Sequence, residues 1–342
     1  MTVQTQTDTI LNVQGLKKYF PIEKGFLRRV RGHVKAVDDV SFTIQAGETM
    51  GLVGESGCGK TTTARVILRA MKPTEGRVLF RTCDGRTVDM ATIGKDELKT
   101  VRCDMQMIFQ DPHSSLNPRM PVLDIVAEPL RAHGWKRKQR EERVAEVLDM
   151  VGLDPQYMRR YPHAFSGGQR QRIGVARALV LSPSLVVADE PVSALDVSMQ
   201  AQILNLLEEM QKKMNLTYLI ITHDLSVVRY ICDRVAVMYV GKIVELAETE
   251  QLFVAPQHPY TSALLAAVPD VDPHREWLSE TISGEVADPS QDIVGCSFAP
   301  RCKYAKAICR EVPPPLENKP GGEGSPHLAA CHRSAEIQLK GI

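Results

Sequence analysis

The stretch best suited to chemistry is Gly54–Thr61, which reads GESGCGKT. It fits the pattern G-x-x-x-x-G-K-[ST] of a phosphate-binding loop. The glycines let successive backbone N–H groups point at a phosphate chain, and a following helix adds the positive end of its dipole. Lys60 is expected to contact the β- and γ-phosphates, and the Thr61 hydroxyl to bind Mg²⁺.

The segments beside this loop match the context that the motif requires. Residues 49–53 are predicted to form a short buried strand, and residues 62–68 a helix that begins where the loop ends. The alternative is a glycine-rich turn that binds nothing, and the strand and helix on either side weigh against it.

A second group of polar residues follows other predicted buried strands. Asp189 and Glu190 follow directly after the predicted strand at 185–188, and His223 follows the strand at 219–222. Gln110 is predicted to be the last residue of the strand at 105–110. Ligand chemistry collects at the carboxyl ends of parallel strands. Asp189 is suited to Mg²⁺ or its water, and Glu190 to the role of general base. An acidic turn and a structural histidine are the competing interpretations.

Strands alternating with helices predict an α/β fold with a parallel sheet. Residues 10–53 predict a β-rich region, interrupted by a basic surface loop from Pro21 to Gly32. A mostly helical insertion is predicted between the phosphate loop and Ser166, with one helix at 136–151. Prolines and glycines after residue 255 predict a domain boundary there and a loop-rich extension over 256–342.

Composition excludes several classes of protein. The 342 residues carry 42 basic and 41 acidic side chains, so no overall charge favours nucleic acid as a partner. No apolar run approaches the length of a membrane-spanning helix, and the polar first residues lack the pattern of a signal peptide. A cytoplasmic location is therefore expected.

Four of the eight cysteines lie in the last fifty residues: Cys296, Cys302, Cys309 and Cys331. Four thiols can complete a zinc site or hold an iron–sulfur cluster. Their spacing fits neither the usual zinc nor the ferredoxin pattern, so spacing alone does not decide between them. Four unlinked thiols are the third possibility.

The order of these motifs resembles the nucleotide-binding domain of ATP-binding cassette (ABC) proteins over about residues 10–255. The resemblance rests on Ser166–Gln169 before a helix, then residues 185–190, Ser193–Asp196 and His223. It implies a P-loop NTPase fold with a RecA-like core, a β-rich subdomain and a helical subdomain at about 112–165. The signature motif begins with Phe165 where leucine is usual, which leaves an apolar anchor in place.

The resemblance also implies roles for residues of the ATP site. Lys60, Gln110, Glu190 and His223 would act in catalysis, and Thr61, Gln110 and Asp189 would bind Mg²⁺. The signature motif would contact the nucleotide of a partner cassette. The residues implied to bind ATP are Gly54, Glu55, Ser56, Gly57, Cys58, Gly59, Lys60, Thr61, Thr62, Gln110, Ser166, Gly167, Gly168, Gln169 and Asp189. The aromatic face of Tyr19 is suited to stacking on the base, and an aromatic residue packed in the core at the end of a strand is the competing interpretation.

A closer resemblance, to ATP-binding subunits of bacterial dipeptide and oligopeptide importers, extends over nearly the whole chain. It rests on residues 110–120, 128–130 and 258–261, on Leu264 and Leu265, and on the cysteine-rich tail. It implies a [4Fe-4S] cluster at the four cysteines, ranked above zinc. The insertion after Tyr19 and Phe20 is similar to the second of the two ATPase subunits of these importers.

Such a subunit would pair head-to-tail with a second ATPase subunit or with itself. Two permease subunits and, indirectly, a substrate-binding protein would complete the machine. The chain would be peripheral, on the cytoplasmic side of the inner membrane. The segment Gln110–Pro129 would couple ATP to a docked permease, with Met120, Val122 and Leu123 in the contact.

Other functions stay open at this point. Relatives import nickel, glutathione or oligosaccharides. A soluble ABC ATPase would share the same motifs, although one cassette without a heptad run argues against that class. A redox-sensing or metal-binding regulator is the third alternative, and intact Lys60, Asp189, Glu190 and His223 argue against it.

Overall fold

The computed structural model describes residues 9–24, 29–111, 115–267, 284–318 and 326–342. These residues form two compact units. The first contains residues 9–11, 44–48 and 80–221, and the second contains 12–43, 49–79 and the described part of 222–342. The predicted boundary near residue 255 does not coincide with this division, because residues on both sides of it lie in the second unit.

The described strands are β1 (Thr9–Lys24), β2 (Arg29–Gln45), β3 (Thr49–Val53), β4 (Glu75–Arg81), β5 (Thr87–Asp89), β6 (Met105–Ile108), β7 (Leu185–Asp189), β8 (Thr217–Thr222), β9 (Arg234–Tyr239), β10 (Lys242–Glu248), β11 (Glu317–Asn318) and β12 (Leu328–Ala329). The described helices are α1 (Lys60–Ile67), α2 (Lys95–Val101), α3 (Val122–Val126), α4 (Glu128–Ala132), α5 (Arg137–Met150), α6 (Gly167–Leu179), α7 (Val197–Met214), α8 (Leu225–Ile231), α9 (Thr249–Val254), α10 (Pro259–Ala266) and α11 (Ala307–Glu311).

Three parallel strands organise the first unit. Strand β7 lies between β6 and β8, with Leu185 opposite both Met105 and Thr217. Every residue of β7 and β8 is buried. Such continuous burial is typical of parallel strands covered on both faces, and it explains why these segments read as apolar runs rather than alternating ones.

The helical part of the first unit differs in detail from the sequence prediction. The helix predicted at 136–151 is α5, and its buried side chains are Val144, Val147 and Leu148. The irregular segment predicted from Pro112 to Pro129 instead contains α3 and the start of α4. Helix α6 begins at Gly167, so it includes three residues of the Ser166–Gln169 motif that was predicted to precede a helix.

In the second unit, β3 pairs in parallel with β9, and β9 pairs antiparallel with β10. Strands β12 and β11 continue this sheet beyond β10, with Leu246 opposite Leu328. The C-terminal extension, residues 256–342, therefore adds strands to the sheet that carries the phosphate loop.

The basic segment Pro21–Gly32 is not a simple loop. Its described ends belong to β1 and β2, which are neighbours in the order β2-β1-β4, and residues 25–28 lie outside the described residues. The prediction of surface exposure holds for Pro21 and Arg31, which are both exposed. In the described ranges, no helix has both the length and the apolar composition needed to cross a bilayer.

Candidate functional site

The phosphate loop connects β3 to α1, as the motif requires. Gly54 and Gly59 have positive φ angles of 151° and 109°. A Cβ atom would lie 2.1 Å from the Met238 carbonyl oxygen at Gly54, and 2.0 Å from that of Ala36 at Gly59. Only glycine fits these positions, so neighbouring strands fix the path of the loop.

Lys60 is the first residue of α1 and is only 6% exposed. Its Nζ donates hydrogen bonds to the carbonyl oxygens of Gly54, at 2.7 Å, and Glu55, at 3.0 Å. The ammonium group is thus held within the curl of the loop, beside the start of the helix that Thr61 and Thr62 continue. A buried cation at a helix start fits an anionic phosphate ligand.

The predicted carboxylate pair lies in the first unit, at the end of β7. Asp189 is the last strand residue and is 4% exposed. Glu190 follows with a φ of 46°, and its N–H donates to the Ile221 carbonyl of β8 at 2.7 Å. A non-glycine residue in this conformation stores strain, which is typical of functional positions.

Gln110 and Glu190 contact each other directly. The Gln110 Nε2 donates to the Glu190 Oε2 at 2.6 Å. The sequence prediction that Gln110 closes a strand is wrong, because β6 ends at Ile108 and Gln110 lies in the segment that follows it. From that segment the Gln110 amide reaches a carboxylate 80 residues away in the chain.

The signature motif forms the start of α6. Ser166 is the N-cap residue: its Oγ accepts from Gln169 N–H at 3.3 Å, and its own N–H donates to Gln169 Oε1 at 3.1 Å. This capping box explains why the helix begins at Gly167 despite two glycines. Phe165 is buried and packs edge-to-face on Tyr157, so it provides the expected apolar anchor.

His223 and Tyr19 lie in the second unit. His223 is exposed and follows β8, between Thr222 and the N-cap Asp224 of α8. Tyr19 is half-buried, and its hydroxyl donates to Asp38 Oδ1 at 2.5 Å. Burial and this hydrogen bond raise the pKa of Tyr19.

Sequence reasoning missed two polar residues of α6. Gln171 is buried, and its Nε2 donates to the carbonyl of Pro191 at 2.7 Å, one residue after Glu190. Arg177 donates to the Ser115 carbonyl at 2.7 Å and lies over the Phe109 ring. The sequence signal that could have revealed them is a polar residue on the side of an amphipathic helix that is otherwise apolar and buried. Both position segments that carry predicted site residues.

All four C-terminal cysteines line one small cavity. The N–H of Cys296 donates to the carbonyl of Cys309 at 2.8 Å, which joins two of the cysteine segments. Burial, together with the neighbouring cysteines, raises the pKa of the Cys296 thiol to about 11. The fold therefore gathers thiols from three separate segments of the extension.

Three of these sulfurs accept a backbone hydrogen bond from the residue two positions later. Phe298 N–H donates to Cys296, Tyr304 N–H to Cys302, and Arg333 N–H to Cys331 at 3.4 Å. Backbone N–H donors stabilise the thiolate form and tune iron–sulfur centres. In the described part of the chain, however, no group of three or more Cys, His, Asp or Glu is arranged to hold a single metal ion.

Comparison with protein families gives two matches. Residues 37–193 match the family described as ABC transporter, and residues 244–309 match the C-terminal region of oligopeptide and dipeptide transporters. The second match covers three of the four clustered cysteines.

Two curated relatives match along almost the whole chain. The "Oligopeptide transport ATP-binding protein AppF" of Bacillus subtilis is 51% identical, over 97% of this chain and 99% of its own length. The "Probable peptide ABC transporter ATP-binding protein y4tS" of Sinorhizobium fredii is 50% identical, over 95% of this chain and 90% of its own.

Solved structures give the same fold. The ATP-binding cassette MJ0796, described as dimeric and bound to ADP and Pi, matches with a TM-score of 0.60 and 28% identity, over 70% of this chain and 99% of its own. The cbiO1 subunit of Clostridium perfringens matches with a TM-score of 0.60 and 28% identity, over 72% of this chain and 91% of its own. The chain belongs to the ABC transporter ATPase family, in the group that carries the oligopeptide and dipeptide transporter C-terminal region.

Proposed function

We propose that this chain is the ATP-hydrolysing subunit of an importer that takes up dipeptides and oligopeptides through a membrane permease. The observation that carries the proposal is the 51% identity to an oligopeptide transport ATP-binding protein along 97% of this chain and 99% of the relative. The match of residues 244–309 to the transporter C-terminal region supports it independently of the cassette.

The chemistry assigned to the site is hydrolysis of Mg-ATP. Magnesium, when bound, would neutralise charge on the β- and γ-phosphates. Lys60 and the loop N–H groups would hold the phosphates, Thr61, Gln110 and Asp189 would hold the metal ion, and Tyr19 would stack on the base. Glu190 would accept a proton from the attacking water, and His223 would contact the γ-phosphate.

The transporter would contain two ATPase subunits and two permease subunits. A substrate-binding protein would act with it indirectly. The start of α6 supports the head-to-tail pairing, since a helix start with glycines and a serine is suited to an anionic phosphate of the partner. The second ATPase subunit would be a related chain or a second copy of this one. The assembly would lie on the cytoplasmic face of the inner membrane.

We infer that Cys296, Cys302, Cys309 and Cys331 hold a [4Fe-4S] cluster. The cavity that all four cysteines line, and the backbone N–H groups directed at three of the sulfurs, support one shared centre held by thiolates. A zinc ion would instead need four ligand atoms at about 2.3 Å from one point. Bonds to the thiols would join three segments that bury little apolar surface, so the role is structural.

Uptake by the reconstituted importer tests the proposed substrate. The chain is co-expressed with candidate permease and ATPase subunits from the same genome, purified as a complex and placed in vesicles with ATP and Mg²⁺ on the ATPase side. Vesicles supplied with the binding protein should accumulate labelled tripeptide, and those carrying Glu190→Gln should not.

The same vesicles distinguish the alternatives. Uptake of nickel, glutathione or an oligosaccharide without peptide uptake would replace the substrate and keep the importer. Failure of the chain to assemble with any permease, with ATP hydrolysis intact, would favour a soluble ABC ATPase.

A further inference from the structure

The C-terminal extension makes an ion pair with the phosphate loop. Arg301 donates to both carboxylate oxygens of Glu55, the second residue of the loop, at 2.9 Å and 3.2 Å. The Arg301 side chain is 7% exposed and that of Glu55 is 25% exposed. A bidentate pair with little solvent around it fixes both groups in direction as well as in distance.

An aromatic cluster holds the guanidinium in place. Arg301 lies 5.9 Å from the Tyr239 ring and 6.0 Å from the Phe298 ring, and it also donates to the Tyr239 hydroxyl at 3.4 Å. The rings of Tyr239, Tyr260 and Phe298 are in mutual contact, with centroids 4.6 to 5.4 Å apart. Such contacts restrict the motion of the long arginine side chain.

Tyr260 makes a second contact with the same loop residue. Its hydroxyl oxygen accepts the Glu55 backbone N–H at 2.9 Å. Burial lowers the pKa of His258 to about 3, so its neutral ring accepts the Tyr260 N–H at 3.1 Å and begins α10. The extension thus holds Glu55 by its side chain and by its backbone.

Consecutive turns set the position of Arg301. Ala299 N–H donates to the Cys296 carbonyl, Arg301 N–H to the Phe298 carbonyl, and Cys302 N–H to the Ala299 carbonyl. Arg301 therefore lies on a short turn whose two ends are cysteines of the cavity.

A carboxylate in a phosphate loop lies close to where a negatively charged ligand binds, and an unpaired one would repel it. We propose that Arg301 and Tyr260 are positioning residues of the nucleotide site: they neutralise and immobilise Glu55, and the extension thereby sets the affinity for ATP. The proposal rests on ATP binding by the family and not on the identity of the transported solute.

The test is the dissociation constant of Mg-ATP for the purified full chain, measured by calorimetry with iron content determined on the same sample. Arg301→Met should raise it by about tenfold or more, because Glu55 is left unpaired. Arg301→Lys should be intermediate, since lysine keeps the charge but loses the paired contact. Tyr260→Phe should also weaken binding, whereas the control Lys306→Met, which removes an exposed ion pair within the extension, should not.

A double variant separates this role from general folding. Glu55→Gln removes the repelling charge, so Arg301→Met added to it should change ATP affinity by less than about threefold. In steady-state assays, Arg301→Met should raise KM for ATP while kcat stays within about twofold, because Glu190 and His223 are untouched. Wild-type ATP affinity in Arg301→Met would overturn the proposal. Where that variant does not fold, wild-type affinity in both Arg301→Lys and Tyr260→Phe would do so.

Discussion

Glu190 combines a strained backbone with a fixed side chain. Its φ is 46°, Gln110 contacts one carboxylate oxygen, and the Ser193 hydroxyl donates to its carbonyl at 3.2 Å. Glu190→Gln should keep Mg-ATP binding and lose about 10²–10⁴-fold in turnover, since it removes a general base and little volume. Phosphate release and nucleotide binding, measured on the same sample, check this. The control is Glu208→Gln on α7, and hydrolysis at the wild-type rate by Glu190→Gln would remove Glu190 from the role.

Lys60 should act in the binding of ATP, the step that precedes hydrolysis. Lys60→Ala removes the ammonium that lies among the loop carbonyls, so ATP affinity should fall before any effect on chemistry appears. Equilibrium binding of a fluorescent ATP analogue measures it, with Lys72→Ala as an exposed control of the same charge. Unchanged affinity would contradict the assignment of the loop.

At the residue scale, the sequence allows prediction of those site features that depend on a few neighbouring residues. The loop around Lys60 and the pair Asp189–Glu190 each lie in a few consecutive residues, so a local sequence pattern is enough to propose them. The contact of Arg301 with Glu55 joins positions 246 residues apart, and no local pattern encodes it. Nor did the sequence signal the φ of Glu190, because the strain is imposed by the neighbouring strand.

At the element scale, the β1–β2 hairpin shows why composition misled the prediction. Proline and arginines between Pro21 and Gly32 are typical of a loop, yet both described ends are strand. Pro21 has no N–H to donate, and it lies just beyond Tyr19, whose N–H reaches Thr74 Oγ1. The described ends of this segment are therefore strand with exposed positions, where polar side chains are tolerated and the alternation expected of a half-buried strand is lost.

The burial of individual side chains changes which residues we expect in the permease contact. Val122 is fully buried, whereas Met120 and Leu123 are partly exposed and Arg119 is exposed. Val122 substitutions should therefore destabilise the fold. Leu123→Ser with Arg119→Glu should instead reduce peptide uptake by the reconstituted complex while ATP hydrolysis by the isolated subunit is kept. Lys138→Glu, at an exposed position of α5, is the control. Uptake at the wild-type level by the double variant would place the docking surface elsewhere.

The cysteine segments give a prediction for the extension. Anaerobically purified chain should absorb broadly in the visible range and contain about four irons, and Cys302→Ser should reduce the iron and make residues near 284–342 more sensitive to protease. The control is Cys83→Ser, an exposed cysteine in the first unit. Colourless protein with one zinc would replace the cluster by a zinc site, and metal-free protein with a protease-resistant extension would contradict both.

At the scale of the molecule, the extension is part of the second unit and not an appendage. Glu245 of β10 is fully buried and accepts the N–H groups of Gln257, at 2.6 Å, and His258, at 2.9 Å. Its Oε1 also lies 2.7 Å from His327 Nε2. A carboxylate in the cassette sheet thus binds two distant segments of the extension, which is why the boundary predicted from composition near residue 255 does not divide the structure.

This carboxylate gives the last prediction. Glu245→Gln replaces one acceptor oxygen by an NH₂ group that faces backbone or ring donors, so a buried hydrogen bond is lost and a donor is left unsatisfied. The free energy of unfolding should fall by about 1–3 kcal/mol, and protease should cut the extension earlier than the rest of the chain. Urea unfolding and limited proteolysis measure the two effects, with Glu250→Gln at an exposed position of α9 as the matched control. If Glu245→Gln behaved like that control, strand pairing between β10 and β12 would suffice to hold the extension, and the buried carboxylate would have no part in joining it to the cassette sheet.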